Sequence, residues 1–126
     1  MNSKLQIALI AIVGAAFGAA GMQALYAQTT PKAYIVTELE LIDVEAQKVY
    51  SPLAQAAQKA AGGRNFRTGG KIVAFAGEGP KRVAITEWDS LDAALAFRNG
   101  KAWKDLVPQR DKAFKITRSY AVEAMP

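Results

Sequence analysis

Hydrophobic positions along the chain fall into two regimes. Of the first 27 residues 19 are apolar, and the run from Leu5 to Ala20 carries no charge, whereas from Gln28 onward apolar and polar residues interleave. In the second regime Ala33 to Leu39 alternates and is rich in β-branched residues, as a half-buried strand is. Asp43 then stands as an N-cap before Ala46, Val49, Tyr50, Leu53, Ala56, Ala57 and Ala60 at helical spacing, and Gly62-Gly63 stops the run. Pro52 inside it removes a backbone donor, which predicts a kink or a restart capped by Ser51. Arg64 to Thr68 and Lys71 to Ala76 read as two strands joined by Gly69-Gly70, a hairpin-like turn, and Lys81 to Trp88 reads as the next strand.

The last third repeats the first. Ser90 caps a helix in which Leu91, Ala94, Leu95 and Arg98 share a face, and Asn99-Gly100 ends it. A second helical stretch carries Trp103, Leu106, Val107 and Arg110, interrupted by Pro108. Phe114 to Val122 alternates, with Phe114, Ile116, Arg118, Tyr120 and Val122 on one predicted face. Split βαβ units of this kind fold as a ferredoxin-like α+β sandwich with an antiparallel sheet and helices on one face. The other face would stay bare. In Lys81 to Trp88 neither Val83, Ile85 and Glu87 nor Arg82, Ala84, Thr86 and Trp88 forms a solvent-like set. A second copy packed face to face would cover it, giving a dimeric α+β barrel with a space between the sheets.

The first regime changes the picture of location. Lys4, the uncharged run and the small residue Ala27 before Gln28 have the form of a signal peptide over residues 1–27. The rival is an uncleaved membrane anchor, since Leu5 to Ala27 is long enough to span and Gly14 and Gly18 form a G-x-x-x-G pair. Either form exports the remainder, to a bacterial periplasm or outside the cell; membrane contact follows only if the leader is kept. Residues 28–32 are a polar tether and 33–124 the folded domain. Removal of the leader takes Lys4 alone and leaves 15 Lys+Arg against 11 Asp+Glu.

That weak basic excess is dispersed rather than gathered into a stripe with aromatics, so nucleic acid is not an expected partner. The chain has no cysteine and no histidine. Disulfides, thiolate nucleophiles, a Ser-His-Asp triad and His-ligated metal or haem are therefore excluded, and no cofactor is called for. Gly77-x-Gly79 is followed by Pro80 and a strand, which does not suit a dinucleotide. Asp43-x-Glu45 and Glu38-x-Glu40 offer too few converging oxygens for a hard cation.

The informative polar groups are those set among apolar neighbours: Glu87 beside Val83 and Ile85, Arg118 beside Ile116 and Tyr120, and Arg110 beside Trp103 and Val107. Half-buried charges pair, so an ion pair that sets sheet or dimer register is the plain reading. The functional alternative is a pocket in which Arg67, Arg110 or Arg118 holds an anion, Glu87 acts as acid, base or acceptor, and Tyr34, Tyr50, Trp88 and Trp103 supply walls.

The segments Tyr34-Ile35-Val36, Asp43-Val44-Glu45-Ala46, Gly62 to Gly70 (GGRNFRTGG), Arg82 to Ala94 (RVAITEWDSLDAA) and Pro108-Gln109-Arg110-Asp111 resemble the DUF1330 family of small bacterial proteins. The resemblance implies the dimeric α+β barrel superfamily and no settled activity. That superfamily includes monooxygenases, dehydratases and haem-handling proteins, many of which use a histidine that this chain lacks. Three functional expectations follow. One is a homodimer that binds a small, partly apolar anion between its sheets. Another is a cofactor-independent enzyme, monooxygenase-like or isomerase-like, using Glu87 with an Arg or Tyr. The third is a structural or stress-related dimer without ligand.

Overall fold

A computed structural model describes residues 30–125 of the chain. The expected leader over residues 1–27 lies outside the described residues. The elements are β1 (Ala33–Leu41), α1 (Val44–Ala60), β2 (Arg64–Phe66), β3 (Arg82–Trp88), α2 (Leu91–Asn99), α3 (Lys101–Lys104), α4 (Val107–Ala113) and β4 (Phe114–Glu123). The strands form one antiparallel sheet in the order β2-β3-β1-β4, the ferredoxin-like arrangement expected from the βαβ pattern.

Local chemistry explains most of the boundaries. The Asp43 carboxylate accepts from the backbone N–H groups of Glu45 and Ala46 and so opens α1. The helix runs through Pro52 without the expected restart. Pro52 and Lys48 are both exposed, so the Lys48 carbonyl that loses its partner can bond to water. At the far end Gly62 takes φ +95°, and Gly62 and Gly63 donate to the carbonyls of Lys59 and Gln58, a Schellman closure. Ser90 accepts from the Ala93 N–H and opens α2. Pro108 sits in the first turn of α4, where its missing N–H is harmless; it starts a helix instead of interrupting one.

Three expectations fail in instructive ways. Residues 71–76 form no strand, so the Gly69-Gly70 hairpin is absent and β2 pairs directly with β3 through Arg64↔Glu87 and Phe66↔Ile85. Nothing on either side buries the 71–76 run, and Phe75 is 99% exposed. On α2 the buried stripe is Ala94 and Phe97, with Leu95 turned outward. In β4 the register shifts against β1: Arg118 lies opposite Glu38 but Ile116 opposite Leu39, which leaves Thr117 as a bulge. A bulge moves every residue beyond it to the other face. Phe114 and Ile116 therefore point with Leu39 toward the helices, while Arg118, Tyr120 and Val122 lie on the bare face with Glu38, Val36 and Tyr34. The Thr117 hydroxyl donates to the Glu38 carbonyl at 3.0 Å and holds the bulge.

The core lies between the sheet and the helices in two clusters. Ala33, Ile35, Trp88, Ala94, Phe97 and Trp103 form one, with Phe97 stacked on Trp88 (centroids 4.9 Å) and tilted against Trp103 (5.5 Å). Leu39, Tyr50, Ala54, Ala113 and Phe114 form the other. Among the described residues nothing covers the opposite face of the sheet. Tyr34, Val36, Val83 and Ile85 are half-buried there, and Phe66, Tyr120 and Val122 are nearly half exposed.

Candidate functional site: a cationic cavity between sheet and helix

Between the two core clusters the layers separate and leave a cavity of about 660 Å³. That volume falls in the usual range for small-molecule sites. Its floor is the helix-facing side of the sheet, with Ile35, Thr37 and Leu39 of β1, and its wall is α1, with Tyr50, Ala54, Gln55 and Gln58. Trp103 and Phe114 close one end; Asn65, Arg67, Thr68, Gly69 and Gly70, which lead out of β2, border the other. Thr68 anchors that border by donating its hydroxyl proton to the Val83 carbonyl.

Charge in the lining is one-sided. Arg67, Lys81, Arg82, Arg98 and Arg110 border the cavity, and no Asp or Glu does. Lys81 reaches Glu40 at 3.6 Å, and Arg110 is held by Asp111 at 2.9 Å. Arg98 has no carboxylate partner among the described residues. It donates to the hydroxyls of Thr37 (3.2 Å) and Ser119 (3.3 Å), which bond each other at 2.9 Å, and its guanidinium stacks 4.3 Å from the Trp103 ring centroid. Arg110 approaches the same ring at 5.8 Å. Burial pulls the Arg98 pKa below the ordinary arginine value, with Tyr50 opposing and Arg110 adding to the shift. Burial likewise raises the Tyr50 hydroxyl, against the pull of Arg110 and Arg98. A half-buried cation that lacks a counter-charge is costly, and an anion in the cavity would relieve that cost.

The residues singled out from sequence divide between the two faces of the sheet. Tyr50, Trp103, Arg110 and Arg67 meet at the cavity. Glu87 and Arg118 do not; they lie on the bare face. Glu87 accepts from Lys32 at 2.9 Å, from Arg64 Nε at 2.8 Å and from the Tyr34 hydroxyl at 3.3 Å. The Lys32 and Arg64 hydrogen bonds hold its pKa below the usual carboxylate value. Arg118 makes a two-pronged pair with Glu38 at 2.9 and 2.7 Å, which raises the arginine further. These are the ion-pair roles, one bridging β2, β3 and the tether, the other bridging β1 and β4. Tyr34 stacks on Phe66 on the same face, and Trp88 is core, 1% exposed.

One chain builds this cavity on the helix-covered side of its own sheet; the space expected between two sheets would belong to a dimer. Arg98, its most deeply placed cation, was hidden in the sequence as the last member of the Leu91, Ala94, Leu95 stripe. An arginine at a position of apolar periodicity was the available signal.

Comparison with known proteins agrees with the fold. No curated protein matches the chain. RPA0582, a protein of unknown function from Rhodopseudomonas palustris, is similar in structure with a TM-score of 0.57 at 17% identity, over 82% of this chain and 92% of that one. A dimeric ferredoxin-like protein of unknown function from Thermobifida fusca gives a TM-score of 0.49 at 8% identity, over 77% and 92% of the two chains. The sequence evidence reaches further than either likeness: residues 32–125 match the profile of the domain of unknown function DUF1330, and the chain belongs to that family.

Proposed function

We propose that the protein is an exported homodimer that binds a small, partly apolar anion in the helix–sheet cavity of each subunit. The observation that carries this reading is the lining: five cationic side chains, no carboxylate, and Arg98 half-buried with hydroxyls as its only hydrogen-bond acceptors among the described residues. The apolar part of the ligand would rest against Ile35, Leu39, Ala54 and Phe114, with Tyr50 offering a hydroxyl that stays protonated. The dimer is supported by the bare sheet face, whose contiguous apolar residues are flanked by the Glu87 and Arg118 ion pairs and need a cover. The leader pattern supports export.

The enzymatic reading that relied on Glu87 is not favoured, because that carboxylate is occupied by two cations on the face away from the cavity. Calorimetric titration with hexanoate and with neutral hexanamide tests the binding function. Saturable binding of the acid and none of the amide is expected; equal heats for both, or none for either, would overturn it.

A further inference from the structure

The unpaired cations of the cavity stand at two separate poles. At the inner pole Arg98 reaches across β1 and β4, touching Thr37 and Ser119, which face each other in the register. At the outer pole are Arg67, just beyond β2, and Arg82, on β3; neither has an acidic partner among the described residues. Both poles border one continuous cavity, and the stretch of lining between them is neutral: Gln55 and Gln58 of α1, Thr86 of β3, Ala54 and Ile35. Strands lie about 4.8 Å apart, so Arg67, just beyond β2, stands about two spacings or 10 Å from β1, while Arg82 on β3 stands one spacing away, opposite Leu39.

Resting on the anion-binding reading above, we infer that the ligand is a linear dianion, with one carboxylate held by Arg98 beside the Thr37 hydroxyl and the second held by Arg67 and Arg82 at the mouth. A monoanion would answer Arg98 and leave the outer pair facing an uncharged chain end. A dianion of matching length answers both poles, and the neutral middle of the cavity suits a methylene or amide-bearing spacer. The outer arginines are exposed, so their share is smaller and sensitive to salt. The inner share is larger, because the Arg98 guanidinium is half-buried and stacked on Trp103.

Calorimetric titration of the protein with succinate, adipate, suberate and sebacate, each beside its monomethyl ester, tests the length and the two-ended contact. Affinity is expected to rise to suberate or sebacate, and the ester of the best diacid to bind about tenfold more weakly. Arg67→Met should weaken the diacid more than the ester and so narrow the gap between them, with Arg82 still in place. Arg98→Lys, which keeps the charge and loses the planar fork, should weaken both. If monoesters bind as well as diacids, or affinity is indifferent to length, the dianion assignment fails while anion binding stands. If no carboxylate of either series binds, both fail.

Discussion

Gly63 lies flat against Trp88. A Cβ built on this glycine would stand 2.7 Å from Cζ2 and 2.8 Å from Cη2 of the indole, closer than such atoms ever come. Trp88 is rigid in the core, its indole N–H donated to Thr86 at 3.0 Å and its ring stacked on Phe97, so it has nowhere to go. Gly63→Ala is therefore expected to destabilise the domain by about 1–3 kcal/mol, the usual cost of overpacking. Urea unfolding checks it, with Gly69→Ala as control, since a Cβ there meets nothing within 4 Å. Equal midpoints for the two variants would contradict the packing described.

Arg98 should trade stability for binding. Its charge is half-buried without an acid, so Arg98→Met in the ligand-free protein is expected to leave stability unchanged or raise it by about 1 kcal/mol, a few degrees in melting temperature. Hexanoate binding should be lost in the same variant. A large fall in melting temperature would make Arg98 a structural residue.

Glu87 couples the sheet to acid. Lys32 and Arg64 hold its pKa below the usual value, so the folded state binds this proton less readily than the unfolded chain. The stability it contributes is present above the unfolded carboxyl pKa of about 4.3 and is lost as pH falls through the lower folded value. Melting temperatures followed downward from neutral pH should fall more steeply for the wild type than for Glu87→Gln. Parallel curves would show the ion pairs to be without energetic weight.

Thr117 is the extra residue of β4. Deleting it would remove the bulge while leaving Ile116 opposite Leu39 and Arg118 opposite Glu38, so each side chain keeps its present face. Cooperative unfolding is expected to persist. Thr117→Val, which keeps the shape and removes only the hydroxyl bond to Glu38, should cost about 1 kcal/mol. Chemical denaturation of both separates the bulge from the bond.

The bare face sets the assembly. Ile85→Lys places a charge at the centre of the apolar surface made by Val36, Val83 and Phe66, on the side opposite the core. It should convert the proposed dimer to a folded monomer in sedimentation velocity. A wild type that already sediments as a monomer would remove the dimer from the proposed function.

Helix ends and fold class were legible in the residues because their signals are local. Asp43, Ser90 and Gly62-Gly63 satisfy backbone groups within a few positions, and the spacing of Ala46, Tyr50 and Ala57 reports one helix face whatever the rest of the chain does. Pairing partners are not local. Whether 71–76 becomes a strand depends on a neighbour offering free backbone groups, and β2 occupies the β3 edge. The Thr117 bulge adds one residue to a pattern whose period is two, so a sequence that alternates evenly still changes face midway. That is why Arg118 parts from Phe114, while Glu87, opposite Tyr34, lies on the bare face by the regular alternation of β3; four of the six residues chosen for one pocket remain at the cavity. The cationic cavity belongs to the tertiary structure alone: Arg67, Arg82, Arg98 and Arg110 are scattered along the sequence, and only the crossing of α1 over the sheet brings them around one space while leaving every carboxylate outside it.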